Sequence, residues 1–192
     1  VAQVRKKRVA RQPAPPFITS TLQQEAWRKL RFTAKHTMAM AQQLYEGLPI
    51  GEKGSVGLIT YMRTDSARVA LSAVAEARAY IKEKYGEDFL PAKARTFTKR
   101  VKGAQEAHEA IRPTSVRREP AALKGYLTRD QFRLYELIWK RMVASQMSPA
   151  LLDTTTVDIE ARNHTSYLLR ATSSRMRFPG FTILYSEGMD EA

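Results

Sequence analysis

The sequence of 192 residues predicts an α+β fold in which a mainly helical domain is inserted between two β-strand flanks. Between residues 12 and 149, apolar side chains recur at helical spacing, and capping residues, Gly and Pro separate the segments. After Pro149 the segments become β-branched or alternating, with Asn, Ser and Gly turns between them. Because this β part is too small to form its own core, we expect residues 1–11 and 150–192 to belong to one β domain.

The first flank is basic and ends at Pro13-Ala-Pro-Pro16, since proline continues neither a helix nor a central strand. A first helix is then expected as far as about Leu30. Two pairs at its start have the spacing of a capping box: Ser20 with Gln23, and Thr21 with Gln24. A second helix is expected to begin at the cap Thr33 and to end at Glu46, with Gly47 as its C-cap. Three of its residues share one face: Met38, Ala41 and Tyr45.

A glycine-rich loop at 47–57 precedes the segment Leu58–Arg63, which we predict to be a short strand. Thr64-Asp-Ser66 then turns the chain toward a third helix, capped by Ser72 and ended by Gly86. Four residues of this helix are expected to face the core: Val74, Ala77, Ile81 and Tyr85.

A loop at 87–104 contains several basic residues and leads to a short predicted helix at 106–111, which Pro113 ends. A capping box at 128–131 opens the strongest helix, which breaks near Pro149. Its predicted inward residues are Phe132, Tyr135, Ile138, Met142 and Val143. The predicted β segments beyond it are Thr154–Ala161, Tyr167–Thr172 and Phe181–Tyr185.

The charge balance points to a polyanionic partner. The chain has 32 Lys and Arg residues against 19 Asp and Glu residues, a formal net charge of +13, and nucleic acid is the commonest polyanion in a cell. The absence of cysteine excludes a disulfide framework and a Cys-based zinc site. No apolar run is long enough for a membrane span, and the basic start lacks both an initiator Met and the apolar run of a signal peptide. We therefore expect a cytoplasmic, internal fragment.

The segment Gly57-Leu-Ile-Thr-Tyr-Met-Arg-Thr-Asp-Ser66 contains a candidate nucleophile. On an extended segment, Tyr61 and Arg63 would project to the same side. A tyrosine hydroxyl ordinarily has a pKa of about 10 and needs help from charge or a base to attack. A neighbouring guanidinium can hold a phosphate and neutralise developing charge. From spacing alone, a buried strand tyrosine beside a surface arginine is the commoner arrangement.

A second candidate group lies in Gln105-Glu-Ala-His-Glu-Ala-Ile-Arg-Pro113. His108 and Arg112 are four residues apart and would share a helix face, where they suit a phosphodiester. The alternative is a structural i,i+3 pair between Glu109 and Arg112. The zinc motif H-E-x-x-H is not met, and the chain has neither an acidic D-x-D-x-E cluster nor a phosphate-cradling glycine loop.

Taken together, four segments resemble the bacterial type IA DNA topoisomerase family in order and spacing. They are Pro16-Phe-Ile-Thr-Ser-Thr-Leu-Gln-Gln-Glu25, Leu44-Tyr-Glu46, Gly57-Leu-Ile-Thr-Tyr-Met-Arg-Thr-Asp-Ser66 and Gln105-Glu-Ala-His-Glu-Ala-Ile-Arg-Pro113. The Ile-Trp at 138–139 and the Gln-Met-Ser-Pro at 146–149 resemble the same family, so the likeness covers about residues 10–185.

This resemblance implies roles for individual residues. Tyr61 would attack single-stranded DNA and become joined to a 5′ phosphate, with Arg63 positioning that phosphate and His108 in support. Glu46 matches a family glutamate near the cleft, although an extra loop at about 48–56 follows it here. Arg112 is a further supporting candidate.

The resemblance also implies architecture, cofactor and partners. The helical domain would carry the catalytic tyrosine, and the β flanks would belong to an arch domain. Mg²⁺ would be bound by acidic residues of a Toprim domain outside this chain, and no nucleotide is needed. The expected partners are single-stranded or underwound DNA and the remaining domains of the same enzyme, in the cytoplasm with the nucleoid. The 192 residues alone are expected to be incomplete for relaxation of negative supercoils.

Two other kinds of protein share part of the pattern. Tyrosine recombinases also use Arg, His and Tyr, but their His-x-x-Arg motif precedes the tyrosine, whereas His108 and Arg112 follow Tyr61 with one residue too many between them. A non-catalytic helix-turn-helix protein could use the helices at 21–30 and 34–46 to bind DNA. That alternative leaves the Tyr61 segment unexplained.

Overall fold

The computed structural model describes residues 1–51, 54–97 and 109–187. The described strands are β1 (Gln3–Arg11), β2 (Leu48–Pro49), β3 (Ser55–Val56), β4 (Ala150–Arg162) and β5 (Ser166–Phe178). The α-helices are α1 (Thr19–Leu30), α2 (Ala34–Glu46), α3 (Leu71–Tyr85), α4 (Pro120–Leu123) and α5 (Arg129–Ser145). Short 3₁₀ helices occupy Glu87–Phe89 and Gly180–Ile183. This arrangement confirms the α+β class.

The two ends of the described chain meet in one antiparallel sheet. Its strand order is β1-β4-β5, and the β1–β4 register runs from Gln3 opposite Asp158 to Arg11 opposite Ala150. Asp158 is buried in the middle strand, where Arg170 on β5 and Arg5 on β1 donate to its carboxylate at 2.6 and 2.7 Å. The hydrogen bonds from Arg170 and Arg5 lower the pKa of Asp158, so this carboxylate links all three strands as an anion.

The helical core is built around α5. Four of its five predicted inward residues are almost fully buried, and Phe132 is packed against the core. Thr128 caps the helix as predicted: its hydroxyl accepts from the Gln131 amide at 3.3 Å, and Gln131 Oε1 accepts from the Thr128 amide at 2.9 Å. Both α1 and α2 pack on α5, and the predicted end of α1 at Leu30 is confirmed. Amphipathic spacing therefore gave the main helices correctly, and the caps at Thr33 and Thr128 are as predicted. The two capping boxes predicted at Ser20 and Thr21 were wrong, because α1 already begins at Thr19 and its cap residue is Ile18.

A buried polar network joins α1, α5 and the last described residues. The Tyr185 hydroxyl donates to Glu25 at 2.5 Å and accepts from Arg141 at 3.2 Å, and Arg141 also donates to the Pro15 carbonyl at 2.6 Å. Burial and the hydrogen bond to Glu25 raise the pKa of Tyr185. The Tyr185 hydroxyl therefore keeps the proton that it donates to Glu25. The network holds the chain that leads into α1 against the core.

A predicted strand, a predicted helix and a predicted helix cap were wrong. Leu58–Arg63 forms no strand; within it Ile59 makes only an isolated bridge with Pro113. Glu109–Ile111 is not helical, because the Ile111 amide donates to the Phe17 carbonyl at 2.8 Å instead of to a helix turn. The start of this predicted helix, 106–108, lies outside the described residues. Ser72 is inside α3, whose cap is Ala70, and the helix is preceded by extended chain.

Two further segments differ from their predictions. Phe181–Tyr185 is not a strand: a 3₁₀ helix there turns Phe181 and Tyr185 into the core, where they are 3% and 4% exposed. The predicted loop at 47–57 contains a small hairpin of β2 and β3, with residues 52 and 53 outside the described part. No helix among the described residues is both long and apolar enough to cross a membrane.

We expect Gly180→Ala to destabilise the fold. Gly180 has φ +50°, and a Cβ there would overlap the backbone carbonyls of Ser148 and Pro149. A left-handed backbone position with no room for a side chain costs roughly 1–3 kcal/mol when a Cβ is added. The free energy of unfolding from urea titration should fall accordingly. Gly125→Ala is the matched control, because nothing lies within 4 Å of its added Cβ; equal losses in both variants would contradict this explanation.

Candidate active site

The segment from residue 61 to residue 65 forms no strand, and the chain bends at Met62 and Arg63. Tyr61, Arg63 and Asp65 are exposed, whereas Met62 and Thr64 are 1% and 7% exposed. Tyr61 and Arg63 are therefore both open to solvent, with the buried Met62 between them.

On its N-terminal side, the Tyr61 segment is fixed by backbone contacts with α2. The Leu58 amide donates to the Leu44 carbonyl at 2.7 Å. This close approach requires glycine at position 57, because a Cβ on Gly57 would lie 2.9 Å from the Tyr45 carbonyl oxygen. The start of the segment is thus held against the last turn of α2.

Thr60, immediately before Tyr61, ties the segment to the chain at 110–112. The Thr60 amide donates to the Arg112 carbonyl at 2.9 Å, and the Arg112 amide donates to the Thr60 hydroxyl oxygen at 3.0 Å. That hydroxyl in turn donates to the Ala110 carbonyl at 2.6 Å. Both backbone and side chain of Thr60 are therefore engaged, which leaves Tyr61 little freedom to move its Cα.

Tyr61 itself is 42% exposed. Its ring packs edge-to-face against the ring of Tyr45, with centroids 5.3 Å apart and an angle of 65° between the planes. This is a favourable aromatic geometry that orients a ring without covering it. Tyr45, which the helical pattern placed on a face with Met38 and Ala41, is 40% exposed and belongs to the site rather than to the core.

Arg63 lines an open cleft of about 460 Å³ at the start of α1. The other lining residues are Ile18, Thr19, Ser20, Gln23, Thr64 and Asp65. The first turn of a helix carries partial positive charge, which adds to that of the guanidinium. Tyr61 does not line this cleft, so the two predicted residues are both exposed but contact different surroundings.

The sequence also suggested His108 and Arg112 for the site. His108 lies outside the described residues. The Arg112 guanidinium donates to the Glu109 carboxylate at 2.8 and 2.6 Å and to the Pro113 carbonyl at 3.0 Å. This is the structural i,i+3 pair that the sequence allowed as an alternative. Arg112 is thus engaged beneath the Tyr61 segment through both its backbone and its side chain.

Glu46 is the last residue of α2 and is exposed, with a side-chain hydrogen bond from Gln42. The extra loop after it forms the β2–β3 hairpin, which returns the chain to the same place: Gly57 lies against the Tyr45 carbonyl. The loop therefore does not separate Glu46 from the site segment in the fold. Whether Glu46 acts in the site stays a prediction.

Among the described residues, no group of three or more His, Cys, Asp or Glu side chains could hold a metal ion. The resemblance places the magnesium ligands in a Toprim domain outside this chain, and that stays a prediction. Sequence reasoning missed three residues at this site: Thr19, Tyr45 and Thr60. Thr60 and Tyr45 stand inside or beside the conspicuous motifs, but only the tertiary contacts distinguish them from ordinary packing residues.

Comparison with known proteins connects this geometry to a family. Residues 1–192 match a protein-family model described as DNA topoisomerase. The chain is 54% identical over 190 residues to the DNA topoisomerase 1 proteins of Xylella fastidiosa strains Temecula1 and 9a5c, which covers 99% of the chain and 23% of each relative. A solved full-length topoisomerase I from Thermotoga maritima aligns with a TM-score of 0.82 and 38% identity, over 99% of this chain and 30% of that one.

Proposed function

The chain belongs to the DNA topoisomerase family, whose members are isomerases, and we propose that it carries the DNA-cleaving tyrosine of a type IA enzyme. The chain spans only about a quarter of the length of its relatives from Xylella. The activity is therefore proposed for a longer enzyme in which these residues form one part. DNA is the proposed substrate, in keeping with the net charge of +13.

The observation that carries the proposal is the presentation of Tyr61. Its side chain is 42% exposed on a segment whose backbone is hydrogen-bonded to two other parts of the protein, at Leu44 and Arg112. A tyrosine of the core would be buried. A surface tyrosine without a function would not need a backbone that is held by hydrogen bonds to two other segments. A fixed backbone below a partly exposed side chain suits a nucleophile that must meet one phosphorus atom.

The proposed reaction is a transesterification. The Tyr61 hydroxyl loses its proton and attacks a backbone phosphate of single-stranded DNA. A bond forms between the tyrosine oxygen and phosphorus, the bond from phosphorus to the 3′ oxygen breaks, and the 3′ oxygen leaves as a hydroxyl. The 5′ phosphate remains on Tyr61 until the 3′ hydroxyl attacks it and releases the tyrosine. One phosphodiester replaces another, so no nucleotide is consumed.

In this proposal, Arg63 holds a non-bridging oxygen of the attacked phosphate and offsets the charge that develops there. Its exposed position two residues from Tyr61 supports that role. His108 is included through the family resemblance as a group that donates a hydrogen bond or a proton. Arg112 is assigned a structural role, since Glu109 and Pro113 occupy its guanidinium. Magnesium and the Toprim domain would be supplied by other parts of the enzyme.

We expect the full-length protein that carries this chain to relax negatively supercoiled plasmid without ATP. Supercoiling provides the driving force, and each cleavage is reversible because the phosphotyrosine bond stores the broken link. Agarose gels of plasmid topoisomers measure this directly. A protein that binds the plasmid and retards it but leaves its linking number unchanged at all times would instead be the non-catalytic DNA-binding protein considered above.

A further inference from the structure

We infer that Thr19 is a positioning residue for Arg63, an inference that rests on the cleavage function proposed above. Thr19 is the first residue of α1 and lies 44 positions before Arg63 in the chain. Nothing in the spacing of these two residues connects them. Their relationship appears only in the hydrogen bonds between the start of α1 and the backbone around Arg63.

One side-chain oxygen holds both peptide units that flank the Arg63 Cα. The Thr19 hydroxyl oxygen lies 2.8 Å from the Met62 carbonyl oxygen, which belongs to the peptide before Arg63. The Thr64 amide, which belongs to the peptide after Arg63, donates to the same hydroxyl oxygen at 2.9 Å. A hydroxyl is well suited to this position, because it donates one hydrogen bond while accepting another.

The backbone of Thr19 completes the clamp. Its amide donates to the Thr64 carbonyl at 2.9 Å, so that carbonyl is already satisfied. Although the Thr19 hydroxyl also lies 3.0 Å from the Thr64 carbonyl oxygen, its single proton is better used on the shorter contact to Met62. The chain bends at Met62 and Arg63, so the clamp acts where the segment changes direction.

Helix capping does not explain this hydroxyl. The residue before α1 is Ile18, whose amide donates to the Thr21 hydroxyl at 3.1 Å, so Thr21 supplies the local side-chain contact at the helix start. The Thr19 hydroxyl instead points to a segment that is distant in sequence. Thr19 also lines the same cleft as Arg63. The clamp therefore fixes the backbone around Arg63 to the start of α1. This fixes the direction in which the Arg63 side chain leaves the backbone.

The functional consequence concerns geometry rather than charge. Arg63 is exposed and has a long side chain, so its guanidinium reaches a defined point only if its backbone is fixed. Without the clamp, the positive charge would remain near the DNA, but the position of the guanidinium relative to the attacked phosphate would vary. We therefore expect loss of the Thr19 hydroxyl to reduce the rate of cleavage and to leave DNA affinity unchanged.

The test uses the full-length enzyme and four variants: Thr19→Val, Thr19→Ser, Arg63→Ala and the double variant Thr19→Val/Arg63→Ala. Single-turnover cleavage of an end-labelled single-stranded oligonucleotide is measured at saturating enzyme, and the Kd is measured separately. Thr19→Val should slow cleavage about tenfold to a hundredfold, the scale of a small misplacement of a reacting group. Thr19→Ser should restore the rate, because serine keeps the donor and the acceptor.

The double variant distinguishes positioning from a separate contribution. If Thr19 acts through Arg63, the double variant should cleave no more slowly than Arg63→Ala alone. Thr182→Val is the matched control, because it removes a hydroxyl that donates to a backbone carbonyl, that of Pro179 at 2.7 Å, outside the site. It should cleave at the rate of the unmodified enzyme.

Three results would overturn the inference. The first is cleavage by Thr19→Val at the full rate while Arg63→Ala is slow, and the second is a double variant whose loss is the product of the two single losses. A melting temperature and a DNA affinity that fall together with the rate in Thr19→Val would assign the hydroxyl a general structural role. Failure of the proposed function itself would look different, since Arg63→Ala and Tyr61→Phe would then both cleave normally.

Discussion

We expect Tyr61→Phe to abolish covalent capture of cleaved DNA in the full-length enzyme and to leave non-covalent DNA binding nearly intact. The change removes a single oxygen atom, the proposed nucleophile. The phenylalanine ring keeps its edge-to-face packing on Tyr45, where the centroids are 5.3 Å apart, and the 42% exposure of the side chain makes loss of core packing small. Stability should therefore hardly change, while the adduct falls to background.

Denaturing gels of end-labelled single-stranded DNA, quenched with detergent, measure this loss. The matched control is Tyr167→Phe, which removes a hydroxyl from an exposed tyrosine on β5, far along the chain from the site segment. That variant should form the adduct as the unmodified enzyme does. A protein-linked DNA band of normal intensity in Tyr61→Phe would show that another residue is the nucleophile.

The second large effect is expected for Arg63→Ala, which should reduce the cleavage rate about tenfold to a thousandfold, the range for loss of one electrostatic stabiliser. Tyr61 remains, so the adduct should still form, only slowly. Arg63→Lys keeps the charge but loses the two-pronged hydrogen bonding of a guanidinium. Its cleavage rate should therefore lie between those of the unmodified enzyme and Arg63→Ala. Single-turnover rates at saturating enzyme measure the effect without a contribution from binding.

A loss of overall positive charge must be separated from a local role. Arg175→Ala, on β5, removes the same charge from an exposed arginine of the sheet. It should cleave at the normal rate at saturating enzyme and show at most weaker binding at low salt. Equal slowing in Arg63→Ala and Arg175→Ala would indicate that bulk charge, not the position beside Tyr61, sets the rate.

The helical framework could be read from the sequence because local signals specify it. Thr33 and Thr128 cap their helices as predicted, and the apolar face of α5 is the centre of the core. These features depend on residues a few positions apart.

What could not be read from the sequence depends on contacts between distant residues. The apolar, β-branched run Leu58–Thr60 has the composition of a strand, but its partners are the irregular chain at 110–114 and the end of α2. Phe181–Tyr185 has a similar composition, yet Gly180 turns it into the core. The sequence did not predict the contact of Thr19 with the backbone around Arg63, because a threonine at the start of a helix is usually a cap.

The measurement that tests the central claim most directly is identification of the residue joined to DNA. The trapped adduct of the full-length enzyme is digested with nuclease and trypsin, and the modified peptide is sequenced by mass spectrometry. The account predicts a nucleotide on the tryptic peptide Gly54–Arg63, which contains one tyrosine, Tyr61, with the linkage through a 5′ phosphate. A nucleotide on any other residue, or a linkage through a 3′ phosphate, would contradict it.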